Sequence, residues 1–471
     1  MNTPIYNAVK NYSASCPTAF HMPGHKLGKG IPSEFLDSLH MLDLTEIPGL
    51  DNLHYPKGII EDAQRLAAEA FGADRTFFLV NGSTCGIQAA IMTLCKPKDK
   101  LIIARDCHRS AIAGMMLAGA TPVYIKPGFN DVFEIPSVVS VDELEKALKE
   151  NPDAAGVYIT RPNYYGICSD IKEIVELVHS YHKPIIVDEA HGTHLCFSKL
   201  LPPSSLEYGA DICVQSAHKT LPAFTQGSYL HVRGTRIDVE RLKFNLSMLQ
   251  TTSPSYIIMA FLDIARAVMQ KEGENRIRNL LREIDQLCEI AGKGKVLKIL
   301  SDHDIEGGSI DRTRVVINVK NTGKTGFEIE KLLRNQYNIQ VEMSDLNNVV
   351  CIVTMADTHE DMKKLGTALE RLCVSFKGAT CLRDVPLRVP ELPERRIELG
   401  SVMSRTFTRR KLGDAVQCVS RSMITPYPPG IPVICPGEVI SKDAIEYIME
   451  IIEAGGAVNG ISEDLEVEVV E

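Results

Sequence analysis

Between residues 61 and 232 the chain alternates short apolar runs with helix-patterned segments, and this alternation constrains the fold more than any other feature. Segments 76–80, 101–104, 122–125, 156–159, 184–187, 212–214 and 228–232 read as buried strands. Segments 61–71, 87–94, 110–117, 142–149 and 171–179 read as helices. Gly72 closes the first of these, and Asp142 and Glu143 occupy the first turn of the fourth, where the helix dipole favours acids. Strands and helices in such repetition predict an α/β fold, a mostly parallel sheet covered by helices.

The rhythm stops near residue 240. Helical patterns at 259–268, 277–290, 327–334 and 358–376 then mix with strand patterns at 314–319, 340–343 and 349–354, which predicts a smaller α+β lobe. The first fifty residues read as irregular, with glycine and proline crowding FHMPGHK at 20–26. Segment 383–398 is proline-rich and charged, a surface connector or docking segment. Five prolines between 426 and 438 require an extended, turning chain, and the acidic tail 463–471 reads as frayed. The expected division is an arm at 1–50, a large domain at 51–300 and a C-terminal α+β domain at 301–471, since 471 residues exceed one ordinary core.

Parallel sheets present their chemistry at strand ends, and two ends stand out. The run 184–187 delivers Asp188, and the run 212–214 delivers Ser216, His218 and Lys219. A carboxylate and an amine so placed suit pyridoxal 5'-phosphate: the amine can bond to its aldehyde carbon, and the carboxylate can keep the pyridine nitrogen protonated. Lys219 follows a buried-type strand, in surroundings where an amine loses its proton more readily than on an open surface. Lys26, also preceded by a histidine, has neither a strand before it nor an upstream carboxylate.

Two more strand ends carry candidates. NGSTCG at 81–86 joins a strand to a helix, so Gly82 permits a tight turn, and the amides and hydroxyls of Ser83 and Thr84 favour a phosphate. The plain alternative is a helix cap by Ser83. His108, after the next strand, is suited either to lie on a planar cofactor ring or to cap a helix.

Other classes fit less well. DEAH at 188–191 also resembles the Walker B box of a helicase, which needs an upstream phosphate loop with lysine. GKT at 323–325 lies downstream, with Asn318 where the first glycine belongs. A metal set of Asp188, His191 and His194 lacks helical context, so no metal is expected. A net charge of −9 argues against nucleic acid as the main partner. No apolar run of 18 residues occurs, and the first residues lack a basic stretch followed by an apolar one, so neither a membrane span nor a secretory signal is expected. Thirteen cysteines, scattered without a CxxC pair, point to inert thiols in a reducing cytoplasm.

Taken in order, these sites resemble a fold-type I pyridoxal-phosphate enzyme with an aspartate-aminotransferase-like large domain. More narrowly, the chain resembles the ornithine/lysine/arginine decarboxylase family in its shorter bacterial form. The likeness runs through FHMPGHKLG (20–28), NGST (81–84), VDEAHG (187–192), QSAHKTL (215–221), TTSPSY (251–256), YPPGIP (427–432) and PGE (436–438). It implies that Lys219 carries the cofactor, Asp188 pairs with the pyridine nitrogen, and His108 stacks on the ring. Ser83, Thr84, Ser216 and His218 would hold the phosphate, and His218 or Lys219 would protonate Cα. It points to Glu438 as an acid for the far end of a basic substrate; the plain reading of Glu438 is a surface or helix-start acid. It further implies a homodimer or an assembly of dimers, with 251–256 reaching a neighbour's site, and no receiver-like domain before Phe20. The expected reaction is decarboxylation of arginine, with lysine and ornithine next, in polyamine biosynthesis. A fold-type I aminotransferase is the alternative activity.

Overall fold

The computed structural model describes residues 2–293, 295–381, 389–427 and 430–471. Its centre is a seven-stranded sheet made of β1 (Arg75–Leu79), β2 (Lys100–Ala104), β3 (Thr121–Ile125), β4 (Gly156–Thr160), β5 (Ile185–Asp188), β6 (Ile212–Gln215) and β7 (Ser228–Val232). The strand order is β1-β7-β6-β5-β4-β2-β3. β2 to β6 pair in parallel with one another and with β3, whereas β7 runs antiparallel to both its neighbours. Strands β4 to β7 are buried at every position, as sheets covered on both faces require. The expected α/β sheet is thus present, each strand within a residue or two of its expected bounds.

Two helices on this sheet matter for the site. Helix α1 (Gly82–Leu94) follows β1, and α2 (Arg109–Ala118) follows β2. At Gly86 a Cβ would lie 2.6 Å from Leu79 Cδ1 and 3.1 Å from Val214 Cγ1, so α1 lies closer to the sheet than a side chain there permits.

The second lobe holds a four-stranded antiparallel sheet, ordered Lys298–Ile299, Arg314–Asn318, Asn348–Ile352, Met343–Ser344, with helices Gly326–Tyr337 and His359–Ser375. Residues from 399 onward surround another core, of Leu412, Ile424, Ile434, Ile448, Val467 and Val469.

Three expectations change. The two helices expected at 259–268 and 277–290 are one, Tyr256–Gly292. Gly273 does not break it: Met269 Cε and Phe197 Cβ pack 3.1 and 3.2 Å from where its Cβ would be, so glycine serves close packing. The first fifty residues are not wholly irregular, because Pro4–Ala14 is a helix opened by its proline and Thr18–Phe20 pairs in parallel with Ile339–Val341. The tail is not frayed, because Glu466–Val470 pairs with Phe407–Lys411 and buries Val467 and Val469 through a period-two alternation that its acidity masks. Of the connector expected at 383–398, residues 383–388 lie outside the described residues. Beyond them the docking alternative holds, with the Val439 N–H donating to Glu394 O and Arg395 bridging Glu438. In the expected extended segment 426–438, Pro428 and Pro429 also lie outside the described residues.

Candidate active site

Sheet register brings the two strand ends together. Asp188 stands opposite Val214 on β6 and Thr160 on β4, so residues far apart in sequence meet at the C-terminal edge of the sheet. Asp188 is buried; its Oδ2 accepts from the Tyr158 hydroxyl at 2.8 Å and its Oδ1 from the Ala190 N–H at 3.1 Å. Burial raises its pKa, and nearby Lys219, Tyr158 and the Ala190 amide oppose that rise.

Lys219 lies in the short helix Ala217–Thr220 beyond β6 and is half-buried. Loss of water around it, with Arg314 acting in the same direction and Asp188 opposing, lowers the amine to about 8. Its Nζ sits 3.0 Å from His191 Nε2. His191 Nδ1 in turn lies 2.6 Å from Arg314 Nη2, and Tyr164 tilts against the imidazole at 5.1 Å between ring centroids. Burial drives the pKa of His191 well below its ordinary value.

The glycine-rich stretch near the start explains itself here. The Gly24 N–H donates to His218 O at 2.7 Å, and a Cβ on Gly24 would meet Leu221 O at 2.7 Å. Thr354 Oγ1 donates to Gly24 O at 2.8 Å, so this stretch clamps the Lys219 turn against the second lobe. Lys26, the other candidate lysine, is buried, with Nζ donating to His21 O at 3.0 Å and Ile352 O at 2.8 Å. It braces the same clamp.

At the start of α1 no side chain caps the helix; the Gly82 N–H donates to Gln226 O at 2.9 Å, and the next amides, of Ser83 and Thr84, are the ones placed for an anion. Ser83 is not the cap; its Oγ meets Ser216 Oγ at 2.7 Å, which joins the β1 and β6 ends. Thr84 is exposed in the same turn. His218 Nδ1 lies 3.0 Å from Gly227 O, and burial lowers its pKa to about 4. His108 is the N-cap of α2: Nδ1 lies 2.8 Å from Ser110 Oγ and accepts from the Ser110 N–H at 3.3 Å. Burial, then the charge of Lys219, lowers His108 to about 3, so its ring is neutral.

Glu438 is neither a surface acid nor a helix-start acid. It is buried, its Oε2 accepting from Arg105 Nη2 at 3.0 Å and from the Cys435 N–H at 2.6 Å. Thr251 to Ser253 are exposed, and Ser255 caps the long helix.

Three participants escaped the sequence reading. Tyr158 sits in an all-buried strand, where a tyrosine hydroxyl needs a partner, and that was its available signal. His191 was weighed only as part of a helicase-like box and as a metal ligand. Arg314 opens a strand of the other lobe, and no local pattern marks it.

A half-buried amine, a buried carboxylate, an open helix N-terminus with two hydroxyls and a neutral imidazole fit a phosphate-bearing heteroaromatic aldehyde. The family model described as Orn/Lys/Arg decarboxylase, major domain, matches residues 3–361, and the corresponding C-terminal domain matches residues 399–469. An arginine decarboxylase of Halalkalibacterium halodurans is 38% identical over 98% of this chain and 96% of its own length. One from Bacillus subtilis is 37% identical over 97% of this chain and 95% of its own. Among solved structures, a lysine decarboxylase from Francisella novicida aligns with a TM-score of 0.80 at 19% identity, over 100% of this chain and 79% of its own.

Proposed function

The chain belongs to the Orn/Lys/Arg decarboxylase family, and from that premise we propose that it converts arginine to agmatine and CO2 with pyridoxal 5'-phosphate as cofactor. Decarboxylation of a basic amino acid follows from the family. Arginine is favoured because the relatives at 37 and 38% identity bear the name arginine decarboxylase, whereas the lysine decarboxylase structure is 19% identical.

One observation carries the residue assignments: Asp188 and Lys219 converge from adjacent parallel strands, and the amine meets a neutral imidazole. Lys219 would hold the cofactor covalently, with Asp188 at the ring nitrogen and His108 against the ring face. Ser83, Thr84, Ser216 and His218, with the amides of Ser83 and Thr84, would hold the phosphate. When bound, the cofactor supplies an electron-withdrawing ring that takes up the electron pair left by departing CO2. Asp188 keeps a proton on the ring nitrogen, and the Tyr158 and Ala190 donors fix its two oxygens for that task. Lys219 Nζ, or His218, delivers a proton to the substrate Cα, which completes replacement of carboxylate by hydrogen.

The finer setting is a cytoplasmic homodimer that feeds polyamine synthesis. Support for a partner is the helix Pro4–Ala14, which buries none of its residues and leaves Ile5 82% and Tyr6 63% exposed.

Purified protein with pyridoxal phosphate is incubated separately with arginine, lysine and ornithine, and CO2 and the product amine are measured together. Equimolar CO2 and agmatine is the expected result. Keto-acid-dependent formation of pyridoxamine phosphate without CO2 would replace the reading with an aminotransferase.

A further inference from the structure

Three groups lie in line at the junction of the two lobes. Arg314 Nη2 stands 2.6 Å from His191 Nδ1, and His191 Nε2 stands 3.0 Å from Lys219 Nζ. A guanidinium has five donors, no acceptor, and does not give up its proton in a protein. Nδ1 must therefore offer its lone pair to Arg314, and the neutral ring carries its one hydrogen on Nε2. That N–H points at Nζ, which can accept it only as an uncharged amine. The opposite arrangement fails: an ammonium at Lys219 would claim the Nε2 lone pair, moving the hydrogen to Nδ1, donor against donor across 2.6 Å. A doubly protonated imidazole fails at both contacts.

We propose that Arg314, acting through His191, is a positioning residue that holds Lys219 as a neutral amine with its lone pair fixed in direction. Packing holds the line rigid. Arg314 and His191 are both buried, and a Cβ on Gly166 would meet Arg314 Cβ at 2.7 Å. Asp311 O accepts from the Arg314 N–H at 3.0 Å, and Tyr164 closes over the imidazole. Because Arg314 begins a strand of the second lobe while Lys219 and His191 belong to the large sheet, the state of the amine depends on the two lobes being seated together. The other charged or titratable groups near Lys219 are Asp188 below it, Glu342 from the second lobe, and His108 and His218 from the large sheet. Asp188 and Glu342 favour the ammonium, and Arg314 opposes it.

This inference rests on Lys219 as the cofactor lysine, but its test does not use the cofactor. The cofactor-free full chain, labelled with 15N-histidine and assigned with His191→Asn, is expected to show His191 as the Nε2–H tautomer at pH 9 to 10, above the Lys219 midpoint of about 8. A proton on Nδ1, or on both nitrogens, overturns the proposal whether or not any variant folds. In parallel, competitive acetic anhydride labelling read by mass spectrometry gives the pH midpoint of Lys219. His191→Phe removes the donor without removing a charge and is expected to raise the midpoint by about one unit, a tenfold loss of free amine below it. Arg314→Leu is expected to raise it further, and Arg314→Lys to restore part of the difference. If His191→Phe leaves the midpoint unchanged while Arg314→Leu raises it, Arg314 acts by charge alone and the line through His191 is wrong. Borohydride trapping of pyridoxal phosphate on the wild-type chain separately tests Lys219: trapping at another lysine sinks that assignment and leaves the tautomer result standing.

Discussion

Lys219 and Arg105 are both basic side chains placed just beyond strands of the same sheet, and the fold treats them in opposite ways. Arg105 is buried and tied by a direct ion pair to Glu438, by a bond from Nη2 to Val433 O at 3.1 Å, and by the face of Tyr124, 4.9 Å from its guanidinium carbon. The carboxylate stabilises its charge, and the last lobe is fastened to the large sheet by that contact. Lys219 meets a neutral imidazole instead, and its charge is disfavoured. A charge that is matched holds parts together, while an amine that faces a fixed N–H donor has its charge disfavoured and its lone pair kept available.

The largest expected effect comes from removing that amine. Lys219→Met is expected to lower turnover about 1000-fold or more and to abolish borohydride-trapped cofactor. Its effect on stability should have the opposite sign. The folded pKa of Lys219, about 8, lies below its ordinary 10.5, so between those values the unfolded chain holds the extra proton. Lys219 therefore costs stability fully below pH 8, and the cost fades as pH rises toward 10.5. The cofactor-free variant should melt above the wild type at pH 7, with the gap closing by pH 10. A lower melting temperature for the variant at pH 7 would break the contrast. Asp188→Asn is expected to reduce kcat about 100- to 10,000-fold with cofactor still bound, because an amide cannot hold the ring-nitrogen proton as a carboxylate does. Unchanged turnover would remove Asp188 from the mechanism.

The matched cation predicts the reverse pattern. Glu438→Ala strands the buried Arg105 guanidinium and is expected to cost about 3–5 kcal/mol in chemical denaturation. KM for arginine should change little in the fraction that remains folded. If stability holds and KM rises instead, Glu438 serves the substrate's distal cation, as its place in the PGE motif suggests.

The contrast also separates what was legible in the sequence. Asp188, Lys219 and Ser216 were readable because each follows a strand and parallel pairing forces those ends into one row; Ser83 joins them because β1 runs in the same direction across the antiparallel β7. Glu438 was readable as a residue worth naming, but its partner Arg105 lies 333 positions away, and no local pattern carries a pairing of that span. Arg314 was hidden for the same reason. The Glu466–Val470 strand was present as alternation but masked by acidity, and one 37-residue helix read as two separated by a polar stretch that contains Gly273. Local rules recover elements and strand-end chemistry; contacts between lobes need the fold.

A smaller effect tests whether helix placement, apart from any charge, sets the phosphate end of the site. Gly86 lets α1 lie against Leu79 and Val214, and this position brings Ser83 within 2.7 Å of Ser216. A methyl group at Gly86 would lie 2.6 Å from Leu79 Cδ1, so the helix or the leucine must shift. Gly86→Ala is expected to cost about 1–3 kcal/mol through overpacking. It should also raise the cofactor's Kd several-fold in a pyridoxal phosphate titration followed by absorbance. Asp188 ends β5 and Lys219 lies beyond β6, neither on α1 itself, so kcat at saturating cofactor is expected to stay within about twofold of wild type. A fall in kcat with unchanged Kd would mean that α1 positions the reacting end as well as the phosphate. The separation between a cofactor-anchoring end and a proton-handling end of the site would then be lost.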